Sequence, residues 1–553
     1  MKLLFNLFTL LLLAGVANGQ VAQGGLPTSL LDSSIKTSTI KSIRLDAPNL
    51  DLLKAEDDVN DAIKGRLRIG TLINSNIKFS EEAEQILLED GRSLFRLAVQ
   101  AKDAQALNFY LKNFKMPAGD EFFIYNTKTE HVLGAYTSVN NTTNGVFSTE
   151  FVHGEKIILE YVQSPSNTST PDFVIQEIGY AYRNVYTNDL SKDFGDSDGC
   201  EVNANCSEGD SWTDQKKAVI RILVKDGGLF WCTGTTINNE RQDCTPYLIT
   251  AEHCGQTASA SDINQWVFYF QYEAPSCANP ASEGTLGSKT VTGATLRAQS
   301  NDNGGDTGSD LMLLEFNNSI PSNYAPYFAG WSRANTPATS GVSIHHPSGD
   351  IKKVSTYSST VTSISYGGII PNTHWDVNWM ATANGHGVTE PGSSGSGLFD
   401  QNGRLVGTLT GGAASCSATS SSDEYGKFSY HWTSNGIGTS RQLKSWLDPD
   451  NTGITTLDGI AQPCNTSTLS LESAPQVRIF PNPTSSVFVI KWSNTTSTYA
   501  NVRILNIVGQ EVGRWNQVAN NRVISLDSYT NGIYLVELEL DEQMVTKKLI
   551  LNK

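Results

Sequence analysis

Glu390-Pro391-Gly392-Ser393-Ser394-Gly395-Ser396-Gly397-Leu398-Phe399 is a serine-rich turn that runs into an apolar pair. Its glycines let the backbone fold tightly around Ser394, a geometry that suits a hydroxyl presented on a sharp turn. The same composition suits a flexible linker, because Gly-Ser strings arise readily in a chain with 47 glycines. Context decides between the two. A nucleophile needs a base, an acid that orients the base, donors for an oxyanion and a pocket.

The surrounding chain sets the bounds. At 553 residues, with about 150 residues per domain, it holds three or four units. Charged residues are 17% of the chain and the net charge is -16, which excludes the basic footprint of a nucleic-acid binder and disfavours an anionic membrane surface. The long apolar run, Leu3 to Val16 after Lys2, is too short for a comfortable membrane span and ends in Ala17-Asn18-Gly19-Gln20. It reads as a secretory signal, residues 1–19, cut after Gly19, with no transmembrane anchor in the mature chain. Export lets cysteines pair. Seven of the eight lie between Cys200 and Cys416, the last is Cys464, and no Cys-x-x-Cys or zinc spacing occurs. Three or four disulfides in one domain are expected, with no metal and no cofactor.

Residues 20–119 begin polar and weakly patterned, then turn strand-like from about Ser93. Glu121 to Asn126, Val132 to Tyr136, Lys156 to Tyr161 and Phe173 to Ile175 continue as short strands, read together as a β-sandwich. His131 and His153 read as satisfied surface or strand-end residues. Asn188 to Gly199 is a polar Gly/Asp-rich boundary. Beyond it Ala218 to Val224, Tyr247 to Thr250, Trp266 to Tyr272, Leu311 to Phe316, Val342 to His345 and Arg404 to Leu409 are strands of an all-β barrel or sandwich. Gly438 to Leu447 reads as a short helix. Residues 464–476 form a linker, and 477–553 a small antiparallel β-sandwich of about seven strands. The periodicity of a long helix is missing throughout.

A serine hydroxyl is a weak nucleophile at neutral pH unless an imidazole takes its proton and a carboxylate fixes the imidazole tautomer. Among eight histidines, His253 ends the strand-like Tyr247-Leu248-Ile249-Thr250-Ala251-Glu252 and precedes Cys254, whose disulfide would anchor it. The alternative is a structural histidine in a turn. Asp310 opens the apolar Leu311-Met312-Leu313-Leu314 and would be buried at the strand mouth, where a histidine would offset the cost of its charge. The alternative is a strand-end cap. The order His253, Asp310, Ser394 leaves room for one β-barrel between base and acid and a second that ends near the nucleophile.

Thr250-Ala251-Glu252-His253-Cys254, Ser309-Asp310-Leu311-Met312-Leu313-Leu314 and Gly392-Ser393-Ser394-Gly395-Ser396-Gly397 resemble the active-site blocks of chymotrypsin-like serine proteases. Cys232-Thr233-Gly234-Thr235, Ile344-His345-His346-Pro347, Cys416-Ser417-Ala418-Thr419 and Trp446-Leu447-Asp448-Pro449 bring the similarity closer to the secreted bacterial lysyl endopeptidase branch, over about Cys200 to Ile460.

That resemblance implies a mainly β chain whose residues 193–463 form a double β-barrel protease domain. It implies His253 as general base, Asp310 as its orienter, Ser394 as nucleophile, and the N–H groups of Gly392 and Ser394 as the oxyanion hole. Ser393 stands where trypsin-type zymogens keep an aspartate that pairs with a new amino terminus, so that mode of activation is not expected. Asp423 is placed at the pocket-charge position for a lysine side chain, with Glu424 or a solvated surface as the alternative. Thr410 replaces the histidine and Tyr366 the tryptophan of the best-known members, so lysine is expected with arginine also accepted. The backbone of Thr410, Gly411 and Gly412 would pair with substrate as an added strand. The comparison implies disulfides Cys200 to Cys416, Cys206 to Cys277 and Cys232 to Cys254; Cys244 and Cys464 would pair only as the two that remain. Residues 20–192 resemble a propeptide, removed between Lys192 and Asp193. Residues 477–553, with Phe480-Pro481-Asn482-Pro483, resemble the sorting domain of type IX secretion cargo. The expected product is a secreted or surface-attached monomer acting on proteins and peptides, with the type IX machinery as its transport partner. The rival is an exported protease-like adhesin without turnover. A metal hydrolase fits poorly, because His345-His346 lacks the spacing that puts two ligands on one helix face.

Overall fold

The computed structural model describes residues 22–553 except 38–39, 63–65, 127, 129–130, 184, 186–196, 282, 284–285, 465–475, 494–496, 508 and 541–542. The expected signal segment, the Lys192 to Asp193 junction and the body of the linker lie outside the described residues. The chain divides into two compact units, Met1–Cys464 and Asn465–Lys553.

In the first unit, strands Val219–Lys225, Leu229–Ile237, Tyr247–Ala251, Val267–Phe270, Thr290–Thr292, Ala294–Gln299 and Leu311–Phe316 form a first barrel. Their inward residues, among them Ile222, Trp266, Phe268, Met312 and Phe316, share one buried core. Trp266 is fully buried, yet its indole N–H donates to the Lys225 carbonyl at 3.0 Å. Each such large side chain stabilises the barrel by about 1.5–3 kcal/mol. Strands Gly341–His345, Lys353–Tyr357, Thr362–Ile364, His374–Asn378, Gly397–Asp400, Leu405–Gly412 and Ser422–Lys427 form a second barrel around Tyr357, Trp375, Val377, Trp379, Leu398 and Tyr425. A third core, with Ile249, Leu313, Ile344 and Phe399, glues the barrels together. Trp331 lies there, 4.9 Å from Trp432 and 5.6 Å from Phe428 between ring centroids. The mainly β, double-barrel architecture is therefore what this chain forms.

The N-terminal part also forms two β-layers, but it contains two elements that sequence patterning misses. The first is the 13-residue helix Leu50–Ala62, so the expectation of no long helix is wrong. Its inward face carries Asp57, which accepts from Arg68 Nε at 2.8 Å and from the Tyr182 hydroxyl at 2.7 Å. A carboxylate in place of an apolar residue erases the expected stripe. The second is the 12-residue strand Leu67–Lys78. It pairs with Val174–Ala181 on one side and with Leu229–Ile237 of the first barrel on the other, so one sheet runs through both parts.

The second unit pairs a three-stranded sheet, Gln476–Phe480, Val487–Ser493 and Arg522–Ser525, with a four-stranded sheet, Tyr499–Asn506, Glu511–Ala519, Gly532–Leu540 and Gln543–Leu551. Phe488, Ile490, Ile504, Val536, Leu538 and Leu549 are fully buried in its core.

Candidate active site

The register of two strands in the first barrel brings the base and the acid together. Tyr247–Ala251 runs antiparallel to Leu311–Phe316 with Ala251 opposite Leu311, so the next residue of one strand faces the preceding residue of the other. The Glu252 N–H donates to the Asp310 carbonyl at 3.1 Å, and His253 follows in the 3-10 turn Glu252–Cys254. Nδ1 of His253 lies 2.6 Å from Asp310 Oδ2, while the His253 backbone N–H donates to Oδ1 at 2.9 Å. With Nδ1–H donating to the carboxylate, Nε2 is left as the free base. Asp310 is fully buried. Burial pushes its carboxyl above the ordinary range, and the adjacent His253 opposes that shift. Its φ of +59° is one that aspartate tolerates better than most residues.

Ser394 arrives from the second barrel, on the turn before strand Gly397–Asp400. The Ser393 N–H donates to the Glu390 carbonyl and the Ser396 N–H to the Ser393 carbonyl, both at 2.9 Å. The Thr233 N–H donates to the Ser394 carbonyl at 2.9 Å, and the Thr233 hydroxyl donates to the Gly392 carbonyl at 2.9 Å. The first barrel thus holds the turn from below. Gly392 has φ +98°, and a Cβ there would fall 2.9 Å from the Gly349 nitrogen; at Gly395, with φ +81°, it would fall 2.1 Å from Thr250 Oγ1. Both positions therefore require glycine. These bonds fix the Ser394 backbone between the two barrels.

Asp423 is fully buried on strand Ser422–Lys427, opposite Gly412. Its carboxylate accepts from the Trp379 indole N–H at 2.7 Å, the Thr389 hydroxyl at 2.8 Å and the Ala414 N–H at 3.2 Å. Glu424 is only half-buried. On strand Leu405–Gly412, Leu409 bonds toward the Ser394 turn, whereas Gly411 and Gly412 pair with Glu424 and Asp423 on the opposite side. Tyr366 packs against His374 with ring centroids 4.9 Å apart, and His374 Nε2 lies 3.0 Å from Thr410 Oγ1.

Residues 194–426 match the family model described as lysyl endopeptidase, C-terminal domain. That stretch is similar to the domain of this family. Over 360 residues, 62% of this chain and 74% of the relative, the chain is 27% identical to the lysyl endopeptidase of Pseudomonas aeruginosa. Residues 478–552 match the secretion system C-terminal sorting domain, which marks the chain as type IX secretion cargo; no helix of the described residues is long and apolar enough to cross a membrane. Solved structures that resemble it include a Glu endopeptidase in complex with MPD, 17% identical, covering 43% of this chain and 93% of that one with a TM-score of 0.25. Another is the thermostable serine protease AL20 from an extremophilic microorganism, at 15% identity, 38% and 91% coverage and a TM-score of 0.27. The family match and the Pseudomonas aeruginosa relative support a serine endopeptidase.

The double-barrel part carries disulfides Cys200 to Cys416, Cys206 to Cys277 and Cys232 to Cys254, and a fourth joins Cys244 to Cys464. It also contains polar groups that sequence reasoning did not assign. Behind the Ser394 turn, the Ser393 hydroxyl lies 2.8 Å from His345 Nδ1, and His345 Nε2 lies 2.9 Å from the Ser355 hydroxyl. Burial first, then Lys353, lowers His345 to about 3, while burial and Glu390 raise the nearby Glu201 well above the carboxylate range. His345 is therefore neutral at neutral pH. Next to Asp310, its own N–H donates to Asp302 Oδ2 at 2.8 Å, and the Asp302 N–H donates to Glu252 Oε2 at 2.9 Å. Burial pushes the Glu252 carboxyl up to about 7 and the Asp302 carboxyl beside it adds to the shift; these acids read as one proton-sharing pair that braces the Asp310 loop.

Proposed function

We propose that this chain is the precursor of a secreted endopeptidase that cuts after lysine and, less readily, after arginine. Ser394 Oγ attacks the scissile carbonyl while His253 Nε2 takes its proton and later returns it to the leaving amine; Asp310 stabilises the imidazolium. The N–H groups of Gly392 and Ser394 receive the oxyanion, each contributing about 3–4 kcal/mol. Water then hydrolyses the acyl-enzyme with His253 again as base. The side chain before the cut enters the pocket over Asp423, where a cation gains a buried counter-charge, and the extended substrate pairs with Thr410, Gly411 and Gly412 beside Tyr366. Residues 20–192 act as a propeptide released at Lys192 and Asp193, and 193–463 act as the monomeric enzyme.

The observation that carries this reading is the 2.6 Å contact between His253 and Asp310 at the ends of two paired strands. Initial rates of the mature enzyme on matched lysine, arginine and leucine p-nitroanilides test it. Lysine should be fastest, arginine slower and leucine near background. Leucine as the fastest substrate would overturn the specificity.

A further inference from the structure

The N-terminal part reaches the candidate active site by one strand. Strand Leu67–Lys78 extends the first barrel antiparallel to Leu229–Ile237, with Gly70 opposite Leu229, Arg68 opposite Phe230 and Leu67 opposite Trp231. Trp231 adjoins Cys232, which is bonded to Cys254, the neighbour of His253. Leu67 is buried against the Ser394 turn, its Cδ2 lying 3.3 Å from where a Gly392 Cβ would stand. Arg66 Nη1 donates to the Cys254 carbonyl at 3.2 Å and to Asp226 Oδ2 at 2.5 Å, and its guanidinium covers the Phe230 ring at 4.1 Å. The strand therefore ends in the gap between Gly392 and the chain segment that carries His253.

A peptide crossing this site has two halves. The half before the scissile bond lies on Thr410 to Gly412 and Asp423, all from the second barrel. The half after it must leave past Gly392 along the wall formed by Trp231 and the Cys232 to Cys254 bridge, and an extended chain does so most favourably as an added strand. Leu67 to Gly70 already fills that edge. Resting on the serine endopeptidase reading, we infer that the edge Leu229 to Trp231 is the docking surface for the leaving half of the substrate, and that Leu67 to Gly70 of this same chain occupies it as a built-in competitor, closing the enzyme to extended peptides while the pocket before the scissile bond stays open.

The docking has further anchors. Lys225 Nζ lies 2.6 Å from Glu177 Oε2, His153 Nε2 lies 2.9 Å from Glu283 Oε2, and the Ser148 hydroxyl donates to the Gln265 carbonyl at 3.1 Å. His153 ends the strand Val152–His153, as patterning suggests, and is a buried contact residue there. Cutting the chain after Lys192 leaves all of these bonds in place, so release requires that the N-terminal part dissociate or be degraded. While the chain is intact, tethering keeps the strand at an effective concentration of about millimolar.

The test uses the full chain with Lys192→Ala beside the processed enzyme. A small fluorophosphonate, which needs only Ser394 and the space before the scissile bond, is timed by mass spectrometry; an internally quenched peptide with lysine at the cut and three residues beyond it is timed by fluorescence. The full chain should take the fluorophosphonate at nearly the processed rate but cleave the peptide slower by about 100-fold or more, the loss expected when a competing strand holds about 3 kcal/mol of docking energy. Leu67→Gly and, independently, the half-exposed Arg66→Ala should each restore part of the peptide cleavage. Equal blockade of both reagents, equal reaction with both, or no recovery in either variant would overturn the inference. Failure of the processed enzyme to label at Ser394 would instead overturn the serine endopeptidase reading beneath it.

Discussion

The Ser393 hydroxyl, one residue before the proposed nucleophile Ser394, lies 2.8 Å from Nδ1 of a buried His345. Because His345 is held neutral by burial, this support is an uncharged hydrogen bond and does not call for a cationic amino terminus. Acetylating the amino terminus of the mature enzyme should therefore leave kcat/KM nearly unchanged. An enzyme activated by a buried terminal ion pair would lose about 3–5 kcal/mol of support, and a fall of that size would contradict the account.

The Glu252 and Asp302 pair makes stability depend on pH. Glu252 rises from an ordinary value of 4.5 to about 7 on folding, chiefly through burial, so its contribution is present in full below the ordinary value and is lost as pH rises through about 7. Asp302 is held low by its hydrogen bonds and acts in the opposite sense, its contribution fading as pH falls through the acid range. Glu252→Gln should flatten the decline of Tm between about pH 4.5 and 7, a window worth on the order of 1–3 kcal/mol. An unchanged decline in thermal melts across that range would show that the pair shares no proton.

Much of the site is legible in sequence because each chemical residue borders a strand. His253 follows Tyr247–Ala251 and Asp310 precedes Leu311–Phe316, and the pairing of those strands does the rest. The supporting groups are not legible, since Glu252 and Asp302 meet across 50 residues and Ser393 and His345 across 48. Strand Leu67–Lys78 escapes for a local reason as well. Gly70 interrupts its apolar run, Asn76 turns to φ +47°, and its pairing with Val174–Ala181 slips between Ile175 and Glu177, which breaks the two-residue alternation.

Asp310→Asn should keep the fold and the His253 contact but offer the wrong partner to the imidazole. A loss of about 10⁴ in kcat with little change in KM is expected, measured on a lysine p-nitroanilide at neutral pH. A loss confined to KM would mean that Asp310 serves binding instead.

Asp423→Asn should cost the lysine substrate about 3–5 kcal/mol in kcat/KM, because a buried cation would lose its counter-charge. A leucine substrate should change little. Parallel losses on both substrates would assign Asp423 to structure, through its bonds to Trp379 and Thr389.

If peptide cleavage proceeds through an ester on Ser394, acid-quenching the mature enzyme during turnover of a lysine ester traps that ester. The acyl mass should then sit on the peptide that carries Ser394, and Ser394→Ala should lose both the adduct and about 10⁶ of the peptidase rate. Undiminished peptide cleavage by Ser394→Ala, with no acyl adduct in either protein, would contradict that route.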